Sequence, residues 1–128
     1  MSLPELFGPY LLHHRLAQGL SAEVFLAQTV GEFPRLCAVK RVLPLLATLP
    51  EFPARFRADA SLLVQLHHGN LVQVLEVGSV EETPFVAMEL IDGVGVADLL
   101  GTVAEHGPLP AELALHVALE LCEAAEYI

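Results

Sequence analysis

The order in which two hydrophobic periodicities follow each other constrains this chain most strongly. Short apolar runs broken by turn residues occupy the first half, at 10–16, 24–27 and 36–42. From Phe52 onward, apolar residues recur every three or four positions, as on one face of a helix. Two further strand-like runs and a helical remainder follow. Strands, one helix, strands again and helices last is an α+β pattern, in which the helix packs on a sheet.

The pattern predicts an antiparallel sheet of five strands with one packed helix, followed by two more helices. These elements are strands at 10–16, 24–27, 36–42, 71–77 and 84–90, a connector at 44–53, a packed helix at 52–66, a link at 78–83, and helices at 96–104 and 110–128. The last helix is apolar on most of its surface, which predicts that protein covers it. It ends without a Gly, Asn or basic cap, so we expect the chain to be truncated from a longer parent.

Composition and charge exclude several classes of function. Hydrophobic residues make up 54% of the 128 residues, too many for a disordered tail. No stretch reaches the roughly 20 uninterrupted apolar residues that a membrane-spanning helix needs. The net charge of −10 disfavours nucleic acid and anionic membrane surfaces, which attract clusters of Lys and Arg. The first residues show no secretory signal pattern, so a cytoplasmic location is expected.

Neither the cysteines nor the histidines predict a metal site. Cys37 and Cys122 lie in separate apolar runs, so both are expected to be buried free thiols. The histidine pairs at 13–14 and 67–68 have no neighbouring cluster of Cys or acidic residues. Adjacent side chains on a strand also point to opposite faces. Structural or exposed roles are therefore expected for these histidines.

One basic residue stands out in the strand pattern. Five of the six basic residues are Arg, and Lys40 is the only lysine, near the end of an apolar run. A compact ammonium and a planar guanidinium are not interchangeable, so a single lysine here indicates a specific charge interaction. A run of mostly small residues, Ala17–Ala22, precedes it by the length of two strands and a turn, and Asp59 is the only acid of the predicted packed helix.

Taken in order, these features resemble the bacterial Ser/Thr protein kinase family. The motifs are LAQGLSAEV at 16–24, AVK at 38–40, Asp59, HGNLV at 68–72 and MELIDG at 88–93. They stand where that family has a glycine-rich loop, a strand lysine, a helix acid, the turn after that helix and the hinge between two lobes. The resemblance runs from about Phe7 to Ile128 and implies an ATP-binding small lobe at 7–91. Residues 92–128 would then be the first helices of an incomplete large lobe.

The resemblance implies a nucleotide site on the small lobe. Lys40 would neutralise the α- and β-phosphates of ATP and would be oriented by Asp59, and these two are the catalytic candidates. The loop would fold over the phosphates, Val24 and Ala38 would enclose the adenine, and the hinge backbone would bind the adenine edge. The implied nucleotide contacts are Leu16, Ala17, Gln18, Gly19, Leu20, Ser21, Ala22, Val24, Ala38, Lys40, Met88, Glu89 and Ile91.

The chain departs from the family at three of these positions. Ala17 and Ala22 replace two glycines of the loop, so that Gly19 is the one that remains. Asp59 stands where the family has glutamate, whose side chain is one methylene longer. Taken separately, each motif also has an ordinary explanation: a glycine-containing hairpin, a solvated lysine, a solvated helix aspartate and a buried strand end.

Three functions remain open. The first is the ATP-binding portion of a kinase whose parent transfers the γ-phosphate to protein Ser or Thr and uses Mg²⁺ only when complete. The chain lacks both H-R-D-x-x-x-x-N and D-F-G, so it is expected to be inactive alone, and no metal ligand is assigned. The second is a pseudokinase or regulatory binding module, favoured by the three departures. The third is a chain that binds itself or another protein through the helix at 110–128.

Overall fold

The computed structural model describes residues 2–128, which form two compact units. The first unit comprises the residues up to 67 together with 72–90, and the second comprises 68–71 and 91–128. All strands of the described chain belong to the first unit, whereas the regular elements of the second are helices. The α+β class predicted from the sequence is confirmed.

The first unit is built on one antiparallel sheet of six strands. They are β1 (Glu5–Phe7), β2 (Tyr10–Gln18), β3 (Ala22–Thr29), β4 (Leu36–Val42), β5 (Val74–Val80) and β6 (Thr83–Met88), in the order β1-β2-β3-β4-β6-β5. The predicted count of five is wrong by one, because β1 was missed. This strand has three residues and pairs Glu5–Phe7 with Tyr10–Leu12. Three residues are too few for an alternating pattern to be recognised.

One face of the sheet carries the main core. Phe25, Val39 and Ala87 are cross-strand partners on β3, β4 and β6, and all three are fully buried. The ring of Phe7 in β1 meets that of Phe85 in β6 edge-on, with 5.6 Å between centroids. Three strands separate β1 from β6 in the sheet, so the sheet must curl to bring them together.

The opposite face is partly covered by α2 (Glu51–Leu63). Ala60 of this helix is buried and packs with Val74 and Val86 of the sheet, and the partly buried Phe56 joins them. Phe56 and Ala60 are four residues apart, so they lie on the same side of the helix. The helix predicted at 52–66 is thus confirmed, and of its periodic residues Phe56 and Ala60 pack on the sheet, whereas Leu63 is exposed.

Two connections of the first unit differ from the prediction. The connector at 44–53 begins with a short helix, α1 (Pro44–Ala47), because proline suits the first turn of a helix. Most of the predicted link at 78–83 is strand, and only Glu81 and Glu82 form the turn. Their φ angles of 47° and 68° are left-handed, the hand that two-residue hairpins favour. Glutamate is not a usual residue at such positions, so no turn signal marks them.

The second unit contains three helices, α3 (Val96–Gly101), α4 (Val103–His106) and α5 (Ala111–Tyr127). The single helix predicted at 96–104 is therefore wrong. It is interrupted at Thr102, whose hydroxyl donates to the Leu99 carbonyl oxygen at 2.7 Å. Such a bond competes with helical hydrogen bonding, which explains the break. No helix within residues 2–128 is both long and apolar enough to cross a membrane.

Segment 68–71 joins the second unit through α5. The Asn70 side-chain amide donates to the Glu120 carbonyl oxygen at 3.0 Å, and the rings of His68 and Tyr127 lie 5.1 Å apart. Ala124 is the buried residue of α5, while its leucines remain partly or largely exposed. The expectation of a buried thiol is accordingly wrong for Cys122, which lies exposed on this helix, and confirmed for Cys37 in the sheet core.

Candidate functional site

Six of the predicted site residues share one face of the sheet, and one of them is Ala22, two residues before Val24 on β3. Ala17 pairs with Val24, and Val24 pairs with Lys40 on the next strand. Ala38 lies two residues before Lys40 on β4 and opposite Met88 on β6. Direct cross-strand partners, and every second residue along a strand, point to the same side. All six side chains therefore lie on the face that α2 partly covers.

Lys40 projects from a central position of this face. Its cross-strand neighbours are Val24 on β3 and Val86 on β6, and Val86 packs against α2. Lys40 itself is exposed, and no ion pair involves it within residues 2–128. The backbone of Lys40 is thus fixed in a central strand beside a helix, and its ammonium group is available to an anionic ligand.

Asp59 lies on α2, directly before the buried Ala60. It is exposed, and the described residues show no ion pair between it and Lys40. The structure therefore places the predicted acid on the helix that covers the lysine face but does not join the two charges. An aspartate reaches one methylene less far than a glutamate, so an ion pair from this helix position demands a closer approach of α2.

The small-residue turn joins β2 to β3. The Gly19 N–H donates to the Ala22 carbonyl oxygen at 2.9 Å, and the Leu43 N–H donates to the Ser21 carbonyl oxygen at the same distance. Leu20 at the tip is 99% exposed. A β-carbon added at Gly19 would meet only the Ala22 carbonyl oxygen, at an ordinary 3.8 Å, and no left-handed φ requires glycine there. The fold alone therefore does not demand this glycine.

The two other loop candidates flank this turn on β2. Leu16 is half exposed and lies at an irregularity in the β2–β3 pairing, between the partnered residues Arg15 and Ala17. Gln18 is exposed and lies opposite Glu23 at the end of the ladder. Because of the irregularity, β2 does not keep a simple alternation here, and Ala17 rather than Leu16 shares the face of Lys40.

The segment after β6 holds the last two candidates. The Glu89 N–H donates to the Gln73 carbonyl oxygen at 3.0 Å, and the Gln73 N–H donates to Glu89 Oε1 at 3.1 Å. This reciprocal pair fixes the backbone immediately after Met88. Ile91 belongs to the second unit, and its side chain is exposed.

A buried ion cluster on the other face was not predicted. Arg41 donates from Nε to Glu23 Oε2 at 3.1 Å and from Nη1 to Glu5 Oε2 at 2.7 Å. Its guanidinium also lies over the rings of Phe7 and Phe25, 5.1 and 4.8 Å from their centroids. Burial alone would lower the pKa of Arg41, and the hydrogen bonds and charges of Glu5 and Glu23 outweigh it, so that the pKa is raised. Alternation places Arg41 opposite in direction to Lys40, but the strand register needed to find its partners is not readable from one sequence.

No described side chains fit a metal ion. Residues 2–128 hold no group of three or more His, Cys, Asp or Glu side chains that could bind one. We therefore assign no Mg²⁺ ligand to the chain. A cavity of about 440 Å³ in the first unit is lined by Ser2, Glu5, Arg41, Val42, Pro44 and Thr83. It shares no residue with the predicted nucleotide contacts.

Comparison with known sequences gives one family. The family model described as protein tyrosine and serine/threonine kinase matches residues 11–128. Tyrosine-protein kinase MasK of Myxococcus xanthus is 38% identical over 112 residues, which cover 84% of this chain and 17% of MasK. Serine/threonine-protein kinase PknB of Mycobacterium leprae is 32% identical over 128 residues, covering 97% of this chain and 20% of PknB. The chain thus spans about a fifth of the length of these curated relatives.

Solved structures share the fold. A double mutant of the Mycobacterium tuberculosis PknI kinase domain superimposes with a TM-score of 0.82 at 24% identity, covering 99% of this chain and 49% of that one. A structure described as the apo form of PpkA-294 gives a TM-score of 0.64 at 17% identity, covering 79% of this chain and 42% of the other. At these identities the likeness shows a common fold and does not specify an activity.

Proposed function

The chain belongs to the protein tyrosine and serine/threonine kinase family, and on that premise we propose that it is the ATP-binding portion of a serine/threonine protein kinase. The observation that carries the proposal is the shared sheet face of Ala17, Val24, Ala38, Lys40 and Met88. These residues come from four strands, yet their side chains form one surface with a single ammonium on it. That surface has apolar and small groups for a base and one fixed charge for a phosphate.

The phosphates are held by Lys40 and the β2–β3 turn. The Lys40 ammonium pairs with the α- and β-phosphate oxygens, and the backbone of Gly19 and its neighbours approaches the chain of phosphates from above. Asp59 orients the ammonium when α2 moves closer to the sheet. The assignment is supported by the free space beside the Gly19 backbone, which no side chain of the protein fills. Mg²⁺, when bound by a complete kinase, neutralises further phosphate charge; here we assign it no protein ligand.

The adenine contacts the strand side chains and the segment after β6. Val24 and Ala38 pack on one side of the ring, and Met88 closes the end of the pocket. The N–H of Glu89 is engaged by Gln73, so its carbonyl oxygen is the group that accepts a hydrogen bond from the adenine amino group. The family resemblance also implies the backbone of Ile91 as a contact of the adenine edge.

Residues 7–91 then form the small lobe of the kinase and 92–128 the start of its large lobe. The 128 residues contain neither H-R-D-x-x-x-x-N nor D-F-G, which carry the catalytic base and metal ligands of the family. We therefore assign ATP binding without phosphate transfer to this chain, and transfer to protein Ser or Thr to the longer parent. Because ATP is a cytoplasmic nucleotide, the domain would act in the cytoplasm.

A pseudokinase is the second candidate function. It is favoured by Ala17 and Ala22 in place of two loop glycines, and by the absence of an ion pair between Asp59 and Lys40 among the described residues. Each of these features weakens the handling of phosphates. A pseudokinase of this kind would bind partners through the same fold without depending on Lys40.

A titration with ATP tests the proposal. Lys40→Ala removes the proposed phosphate contact, and we expect the dissociation constant to rise by roughly tenfold or more, as for loss of a charge-assisted hydrogen bond. Arg35→Ala is the matched control, because it removes an exposed positive charge from the turn between β3 and β4. Equal affinity of the wild type and Lys40→Ala would reject Lys40 as the phosphate contact, and failure of the wild type to bind ATP would reject the ATP-binding proposal and favour the regulatory module. Transfer of labelled γ-phosphate by this chain to Ser, Thr or Tyr peptides would contradict its assignment as inactive alone.

A further inference from the structure

We propose that Glu5 of β1 is a positioning residue for the nucleotide site, acting through Arg41 on Lys40. This inference rests on the proposed function, because it concerns how the proposed phosphate contact is held. Glu5 itself lies on the face of the sheet opposite Lys40 and would not touch the nucleotide.

The first step is the geometry around Arg41. Its guanidinium is almost fully buried and meets two carboxylates from different strands, Glu23 of β3 and Glu5 of β1. Glu5 receives two hydrogen bonds from it, at 2.7 Å from Nη1 and 3.3 Å from Nη2. Arg15 of β2 adds a longer ion pair to Glu23 at 3.7 Å. Arg41 of β4 is thus bound directly to β3 and β1, and Glu23 connects it to Arg15 of β2.

The buried ion cluster around Arg41 specifies strand register more than it adds stability. A buried ion pair contributes little net stability, because removing two charges from water costs about as much as their attraction returns. It does specify register, since a slip of one residue would leave the charges buried without their partners. The pairing of Glu23 with Arg41 therefore fixes how β3 lies against β4.

The register of β3 against β4 also determines the position of Lys40. Arg41 follows Lys40 on β4, and Glu23 precedes Val24 on β3. Holding Glu23 opposite Arg41 places Val24 opposite Lys40. It also fixes where β3 begins, at Ala22, directly after the turn. A shift of one residue would send Lys40 to the core face, where no phosphate could reach it.

The strand β1 precedes the part of the chain that matches the family model. Residues 11–128 match the family model, so Glu5 lies outside the matched part of the chain. Nevertheless Glu5 makes the 2.7 Å contact to Arg41, and its side chain is 28% exposed at the edge of the cluster. The strand β1 therefore adds a carboxylate to the support of Lys40 that the family match does not include.

Glu5→Gln tests the inference. It keeps the shape of the side chain and removes its charge, and Glu32→Gln, in the exposed turn between β3 and β4, is the matched control. We expect Glu5→Gln to raise the dissociation constant for ATP by roughly threefold to tenfold, the size of coupling found between packed neighbours. Lys40 is the only lysine, so selective ¹⁵N labelling of lysine reports its ammonium alone, and this signal should shift in Glu5→Gln without nucleotide.

Each outcome decides. Weaker ATP binding and a shifted Lys40 signal in Glu5→Gln, with Glu32→Gln like the wild type, supports the inference. Wild-type affinity and an unchanged Lys40 signal overturn it, and so does a loss of thermal stability in Glu5→Gln without a change in affinity. If the wild type does not bind ATP, the proposed function fails and the inference fails with it; if Lys40→Ala binds ATP as the wild type does, the Lys40 contact and the inference fail while ATP binding stands. If Glu5→Gln changes neither the ATP affinity nor the Lys40 signal while Lys40→Ala weakens ATP binding, the inference fails and the proposed function stands.

Discussion

The N–H of Gly19 donates a hydrogen bond of 2.9 Å to the carbonyl oxygen of Ala22. This bond closes the turn between β2 and β3, and the next residue pair outward from the turn, Gln18 with Glu23, begins the ladder. The turn is thereby held by its own backbone, so the side chains at 19–22 are not needed to keep its shape. Glycine at position 19 is therefore not required by the conformation of the turn.

Gly19→Ala separates the fold from the site. Space for the new methyl group is available and no left-handed φ is present, so we expect the free energy of unfolding to stay within about 0.5–1 kcal/mol of the wild type. ATP affinity should fall severalfold, because the methyl group keeps the phosphates away from the backbone. Urea denaturation and an ATP titration measure the two effects.

Gly101→Ala is the control for this prediction. Gly101 also has open space for a β-carbon, but it lies at the end of α3. Gly101→Ala should leave ATP affinity at the wild-type value, whatever the replacement of a helical glycine adds to the free energy of unfolding. A Gly19→Ala variant that unfolds, or that binds ATP as tightly as the wild type, would show that the turn has been misinterpreted.

The length of the side chain at 59 should tune ATP affinity. Asp59→Glu restores the missing methylene and allows an ion pair with Lys40 that the described residues do not show. We expect ATP affinity to rise about two- to threefold, consistent with the modest value of a partly exposed ion pair. Asp59→Asn should lower it by a similar factor. Identical titration curves for the two variants would mean that Asp59 is only a solvated helix residue.

Tyr10 is expected to stabilise the sheet through Glu76. Its hydroxyl donates to Glu76 Oε2 at 2.7 Å, joining β2 to β5, while its ring packs on Phe85. Tyr10→Phe keeps the ring and removes the bond, so we expect a loss of about 1 kcal/mol in the free energy of unfolding at neutral pH. A double-mutant cycle with Glu76→Gln measures the coupling. Additive effects of the two changes would show that the bond contributes nothing.

The same tyrosine predicts a dependence of stability on alkaline pH. Burial, then the hydrogen bond and charge of Glu76, raise the pKa of Tyr10 above its ordinary value of 10.0. Above pH 10 the unfolded chain releases this proton while the folded chain keeps it, so the unfolded state binds fewer protons and stability falls as pH rises. The slope from this group is at most about 1.4 kcal/mol per pH unit.

Chemical denaturation between pH 9 and 11 measures this slope. It should be smaller in Tyr10→Phe than in the wild type. Burial also raises the pKa of Cys37, so a second fall of the same sign begins above its ordinary value of 9.0. A stability that rises through this range would contradict the assignment of Tyr10 as protonated in the folded state.

The sequence predicts the elements that show a clear period. The apolar run of β4 and the three- and four-residue spacing from Phe52 to Leu66 were sufficient to predict a strand, a packed helix and their class of fold. The order of small-residue turn, lysine strand and acidic helix also predicted which residues to compare with a known family. These features depend on local periodicity, which one sequence contains.

The remainder depends on register and on short segments. Neither the three residues of β1 nor the turn at Glu81 carries a periodic or turn signal. The Glu23–Arg41 pair becomes visible only when β3 and β4 are aligned residue by residue, and a single sequence does not encode that alignment in its period. Exposure of Cys122 likewise depends on what α5 contacts, which its own composition does not reveal.

The central claim is that Lys40 contacts a nucleotide, and the ¹⁵N signal of this single lysine tests it most directly. With lysine-selective labelling, ATP should shift the Lys40 side-chain signal in a saturable manner, at concentrations that match the binding curve measured independently. The claim would be contradicted by a Lys40 signal that stays in place at saturating ATP, because the ammonium would then lie away from the bound phosphates.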